Sequence, residues 1–132
     1  MSQENVNLTM RLYEAWNGED IEPSMAAITP DFEFWPLAGF LDLKEVYRGK
    51  AGWREFWNIW RDAWEEITLT VDRIEDFGEG VAVFVIAQGR GRESGVEVRA
   101  EIANIFSFRE SHIARVDSYT WPDALEAAGL SE

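Results

Sequence analysis

The sequence predicts an α+β fold, with helices packed on one face of a largely antiparallel sheet. Three observations predict it. Apolar residues recur at helical spacing in the first half of the chain and in strand-like runs in the second. The helical patterns come before most of the strand patterns, as in a layer of helices laid on a meander of strands. Between Trp53 and Trp64 lies a row of rings that needs a broad apolar surface beneath it. Residues 1–132 are expected to form one domain.

The aromatic row organises the rest. Trp53, Phe56, Trp57, Trp60 and Trp64 step by three, one, three and four, which keeps all five on one side of a helix. Arg54, Glu55, Arg61 and Asp62 fall largely on the other side. Burying each ring contributes roughly 1.5–3 kcal/mol. The row has two readings: core, or core at one end and the wall of a small-molecule pocket at the other.

Val6, Leu8, Leu12, Tyr13, Ala15 and Trp16 form the apolar side of a first helix over 5–16, stopped by Asn17-Gly18. A short second helix is predicted from Ile21 to Ile28, with Pro23 near its start and Thr29-Pro30-Asp31 breaking it. Phe32 to Pro36 reads as a short strand, Phe32 and Phe34 on one face, Glu33 and Trp35 on the other. The following loop to Tyr47 is rich in apolar residues, and its Phe40 reads equally as core filler or pocket lid. Strands follow over 67–77, 81–87, 96–108 and 113–121, the second apolar throughout, as for a strand buried on both faces. Gly78-Glu79-Gly80 and the segment Gly89 to Gly95 are turns. A brief helix over 124–128, opened by Pro122-Asp123 and capped by Gly129, ends the chain.

Composition excludes several functions. The net charge of −13 repels phosphate backbones, so no nucleic-acid partner is expected. With no cysteine and one histidine there is no thiolate chemistry and little to build a metal site from, and no cofactor is expected. His112, between two strand-like runs, reads as a turn residue, with a catalytic base as the minor alternative. No apolar run approaches the roughly 20 residues of a membrane span, and the first residues do not resemble a signal peptide. No membrane partner and a cytoplasmic location are the expectations.

Several segments, taken in order, are similar to one family. They are Arg11 to Asn17, Tyr47 to Gly52, Gly89-Arg90-Gly91 with Ser94 to Val98, and Ala124 to Leu130. The chain resembles the nuclear transport factor 2-like superfamily, in its SnoaL-like and ketosteroid-isomerase-related branch. The resemblance implies three N-terminal helices on a curved, mostly antiparallel mixed sheet, forming a cone with an internal cavity. It also implies a small-molecule ligand and a homodimer joined through the outer sheet face. The fold hosts isomerases, hydrolases, cyclases and non-catalytic binders, so the residues must decide between them.

Against ketosteroid isomerases, Trp35 falls where the general base stands, Leu12 where the oxyanion-hole tyrosine stands, and Asn104 where the protonated aspartate stands. An indole cannot act as a base, whereas asparagine can still donate a hydrogen bond. Tyr13 lies one residue, roughly 100°, round the helix from Leu12. The Asp-Arg-Asp set of limonene-epoxide-hydrolase-like relatives is replaced by Val81-Ala82-Val83 and Ser118. The acid–base pair of SnoaL-like cyclases corresponds to Asn104 and Ser118.

If Asn104 faces inward, strand alternation puts Ile102, Phe106 and Phe108 beside it, with Val116, Ser118 and Thr120 opposite. Ala103, Ser107, Arg115, Asp117 and Tyr119 then point outward, toward solvent or a partner. Expected catalytic residues are Glu33, Tyr13 and Asn104. Glu33 reads either as an exposed carboxylate or as an acid–base group whose pKa is raised against the rings. Expected ligand contacts are Leu12, Trp16, Trp35, Phe40, Trp53, Phe56, Trp57, Trp60, Val116, Ser118 and Thr120. Arg90, Arg92 and Arg99 surround the glycine-rich hairpin, as an anion clamp or as a solvated or partner-facing tip. Two functions follow: an enzyme of isomerase, cyclase or hydrolase type acting on an apolar or aromatic molecule, or a binder or interaction module that does no chemistry.

Overall fold

The computed structural model describes residues 3–38 and 42–130. The first helix, α1 (Gln3–Asn17), turns Leu8, Leu12, Tyr13 and Trp16 inward, as their spacing requires. The second, α2 (Glu22–Ala27), is shorter than its pattern suggested, because Ile28 already belongs to β1 (Ile28–Trp35). The strand thus begins four residues before Phe32 and runs through Thr29-Pro30-Asp31. Pro30 is tolerated because it falls where the pairing of β1 changes register, between Ile28 and Glu33.

A two-residue strand, β2 (Tyr47–Arg48), leads into α3 (Gly49–Ala63). Four rings of the aromatic row lie buried along α3: Trp53, Phe56, Trp57 and Trp60. The fifth does not share the helix. At Trp64 the backbone is extended, with φ −119° and ψ 136°, and β3 (Trp64–Asp76) begins. Its ring is still buried and lies 5.7 Å from that of Trp60. Three long strands complete the sheet: β4 (Val81–Gly91), β5 (Glu97–Arg109) and β6 (His112–Tyr119). The final helix, α4 (Trp121–Ala128), ends at Gly129 in the left-handed conformation with φ 71°.

The six strands are ordered β2-β1-β6-β5-β4-β3. The β1–β6 pair is parallel and the other pairs are antiparallel, so the sheet is mixed. Helices α1 and α3 lie on its inner face and form the main core with Phe32, Phe34, Val83, Val85, Phe106 and Val116. At the β3 edge, Asn17 plays the part of a neighbouring strand. Its amide donates to the Leu69 carbonyl at 2.8 Å and accepts from the Leu69 N–H at 3.0 Å. One side chain thus satisfies two edge groups that a further strand would otherwise pair.

The uniformly apolar strand β4 is explained by a second core. Ala82, Phe84 and Ala103 leave the sheet on the outer side and are covered by α4. Trp121 meets Phe84 edge-on at 5.8 Å, and its indole N–H donates to the Ile102 carbonyl at 3.1 Å. Ala103, expected to face solvent or a partner, is therefore wholly buried within the chain. Thr120, expected to face the cavity, caps α4 instead: its hydroxyl oxygen accepts from the Asp123 N–H at 3.3 Å. The strand ends at Tyr119, so alternation no longer governs the next residue.

Candidate functional site

The inner sheet face and the two helices leave a cavity between them. Leu12, Tyr13 and Trp16 of α1 form one wall, and Trp53, Phe56 and Trp60 of α3 a second. Asn104 of β5 and Val116 and Ser118 of β6 form the sheet wall, with Pro36, Leu37 and Leu43 also contributing. About 70 Å³ is open to the centres of water-sized molecules. One water needs roughly 10–15 Å³ on that measure, so the space suits several waters or a molecule of about one ring. None of the described lining residues carries a charge, and seven are aromatic. An ion entering this cup would lose its hydration without gaining a counter-charge.

Among the described lining residues, Ser118, Asn104 and Tyr13 form a chain of hydrogen bonds, and the Trp16 indole N–H is buried without a hydrogen-bond partner. Asn104 and Ser118 face each other across the β5–β6 ladder. The Ser118 hydroxyl donates to Asn104 Oδ1 at 2.5 Å, and Asn104 Nδ2 donates to the Tyr13 hydroxyl oxygen at 2.8 Å. Tyr13 thus accepts, and its own proton is left for a group in the cavity. Its ring is held edge-on to Phe106 at 6.0 Å.

Burial pushes the Tyr13 phenol well above its ordinary pKa, and the bond from Asn104 offsets this only in part. Folding therefore keeps Tyr13 protonated where an unfolded chain would release the proton. Stability should be insensitive to this group below pH about 10 and fall above it, by about 1.4 kcal/mol per pH unit. Tyr13→Phe should remove that part of the alkaline slope in urea melts between pH 9 and 11. A slope identical to wild type would show that the phenol is not sealed.

Glu33 and Trp35 lie on the opposite side of β1 from Phe32 and Phe34, away from the cavity. Phe32 and Phe34 are buried in the core, and strand alternation sends the residues between and after them outward. Glu33 accepts from Trp35 Nε1 at 3.1 Å and from Arg48 Nε at 3.3 Å, with Arg115 3.8 Å away. The Trp35 hydrogen bond, then Arg48 and Arg115, hold its carboxyl below the ordinary value, the reverse of the raised pKa expected of a buried acid. Arg115 also grips Asp117 with two bonds of 2.9 Å and lies 4.8 Å from the centre of the Trp35 ring. These groups form an ionic lattice on the outer face.

Trp57 is buried but does not line the cavity; it packs behind Trp16, ring centres 4.5 Å apart. Phe40 lies outside the described residues. The cavity also uses Phe34, Leu69, Val85, Ile102 and Phe106, which the sequence reading did not name as ligand contacts. Their signal was present as strand alternation, which marks a face but not how much of it borders a void.

The arginines of the β4–β5 hairpin are engaged. Arg92 donates to the Trp64 carbonyl at 2.7 Å and the Asp62 carbonyl at 3.1 Å, closing the end of α3. Arg90 lies within 3.6 Å of Glu65, Glu66 and Glu97. His112 stands at the β5–β6 turn, its Nδ1 2.8 Å from the Glu110 carbonyl. Among the described residues no three His, Asp or Glu side chains form a metal site, and no helix is long and apolar enough to cross a membrane.

This cone and its apolar cup define a class. The SnoaL-like domain family matches residues 10–116, and the chain belongs to that family. No curated protein matches it in sequence. Solved structures extend the likeness of fold. A nuclear transport factor 2-like protein of unknown function from Burkholderia pseudomallei is 20% identical, covering 98% of each chain with a TM-score of 0.82. TerC, co-crystallised with polyporic acid, is 19% identical over 96% of this chain and 98% of its own, with a TM-score of 0.80. IdmH from Streptomyces antibioticus, named as a candidate polyketide cyclase, is 22% identical over 96% of this chain and 97% of its own, with a TM-score of 0.73.

Proposed function

We propose that the protein binds a small, uncharged, mainly apolar molecule in the cone, with a carbonyl oxygen resting on the Tyr13 hydroxyl. The observation that supports this is a buried phenol whose proton has no acceptor among the described residues, set in a cup whose described lining carries no charge. The co-crystallisation of TerC with polyporic acid is consistent with ligand entry into such a cone. Tyr13, supported by Asn104, is a group able to polarise a substrate. Cyclase- or isomerase-type chemistry would then proceed by holding a reactive conformer and stabilising charge on its oxygen. A second reading, a binder that does no chemistry, is favoured by the lack of a base among the described lining residues.

Acetophenone, ethylbenzene and benzoate serve as probes, followed by fluorescence of the cavity tryptophans. Acetophenone should bind about tenfold tighter than ethylbenzene, a hydrogen bond's worth of discrimination, and benzoate should bind worst. Glu33→Gln should leave all three affinities unchanged, since that carboxylate lies on the other face of the sheet. Equal affinity for benzoate and acetophenone would refute the uncharged-ligand reading. Turnover of a polyketide-like ketone would decide between enzyme and binder. A homodimer across the part of the outer face that α4 leaves open, around Trp35 and Arg115, is part of this proposal. Sedimentation equilibrium tests it, and a monomer at all concentrations would exclude it.

A further inference from the structure

We infer that Trp16 is a second polar anchor of the cone: its indole N–H takes an acceptor atom of the ligand, so the ligand carries two acceptors, one for Tyr13 and one for Trp16. The inference rests on the reading that the cone holds a small uncharged molecule with an oxygen on Tyr13. It adds where a second oxygen of that molecule docks.

The Trp16 ring borders the cavity and is 3% exposed. Its Nε1 is buried and has no hydrogen-bond partner among the described residues. Four rings pack round it: Trp57 at 4.5 Å, Phe56 at 6.1 Å, and Trp53 and Trp60 at 6.2 Å between centres. An indole nitrogen donates only and a phenyl ring has no polar atom, so none of the four offers an acceptor. A ring face recovers only a small part of a lost hydrogen bond. Hydroxyls and amides can turn and exchange roles with their neighbours, but an indole N–H cannot. A buried donor without a partner costs free energy, and the cavity beside this one is where an acceptor can arrive.

The donor is held in place. Arg61 Nη1 donates to the Trp16 carbonyl at 2.8 Å, and its guanidinium lies 5.6 Å from the centre of a Trp16 ring. A side chain fixed in this way has little freedom left to lose on binding. The cavity has room for several waters, and a ligand that displaces one from this N–H must offer an acceptor or lose affinity. Tyr13 and Trp16 are three residues apart on α1, neighbours on one face and offset by about 4.5 Å along the axis. One ring with an oxygen at each end suits that offset and the size of the cup.

The test follows the indole 1H–15N signals of protein labelled with 15N-tryptophan, titrated with cyclohexanone and with cyclohexane-1,4-dione. The Trp16 signal is the one missing from Trp16→Phe; should that variant not fold, through-space contacts within α1 identify it. The dione should move the Trp16 indole proton downfield, as hydrogen bonding does. Cyclohexanone, with its one oxygen on Tyr13, should leave it close to the free position. In Trp16→Phe the preference for the dione over cyclohexanone should fall about tenfold. Comparing that ratio between the two proteins cancels the greater hydration of the dione. The inference is overturned if the dione leaves the Trp16 proton in place, or moves it no further than cyclohexanone does. Either result, with both ketones bound, leaves the cone reading standing. If neither ketone binds, the cone reading itself falls, and this inference with it.

Discussion

Trp57→Ala should lower stability by about 3–5 kcal/mol and leave affinity for a cavity ligand unchanged. The ring is buried and packs edge-on against Trp16 at 4.5 Å, with Trp53 at 6.0 Å on the same helix. Its removal leaves a hole between α1 and α3 that neighbouring indoles are too stiff to fill, which places the cost at the upper end for a core truncation. The ring borders no part of the cavity. Urea unfolding followed by circular dichroism measures the first effect, and acetophenone titration at low temperature measures the second. A loss of affinity matching the loss of stability would mean that core and cavity are not separable along this helix.

Trp53→Ala should be as destabilising and should also change what the cavity accepts. Trp53 donates to the Ser24 hydroxyl at 2.9 Å in a buried setting, and Ser24 in turn donates to the Ile21 carbonyl at 2.6 Å. Truncation therefore removes a large ring and breaks the bond tying α3 to α2. About 3–5 kcal/mol for the ring, with about 1 kcal/mol more for the lost hydrogen bond, is the expected cost, since Ser24 keeps its bond to Ile21. Because Trp53 is also cavity wall, the vacated space joins the cup. The preference for 1-acetonaphthone over acetophenone should rise about tenfold, as apolar contact replaces a void. An unchanged preference between the two ketones would remove Trp53 from the ligand wall.

These two tryptophans show how far the sequence could be read. Trp53 and Trp57 are four residues apart on one helical stripe, and periodicity assigns both to the buried side. A buried stripe is wider than the cavity it borders, so one ring becomes wall and the other filler. The same holds on β1. Alternation separated Phe32 and Phe34 from Glu33 and Trp35, but it did not say which pair looked inward. Asn104, Ser118 and Val116 were legible because one inward residue fixes the others on paired strands. Trp64 was misassigned to the helix because its spacing fits the stripe. The chain becomes extended at that residue, while its ring stays packed on Trp60.

The sequence by itself determined the local periods: which residues share a helix face, which alternate along a strand, and where turns fall. It also determined that the enclosed surface would be largely aromatic, since rings crowd those faces. Tertiary structure alone decided that Glu33 faces outward, that α4 covers Ala103, and that Tyr13 meets an amide 91 positions away in sequence. The physical reason is that periodicity is a property of neighbours along the chain. The inside of a cone is instead defined by which distant strands pair, and in what register.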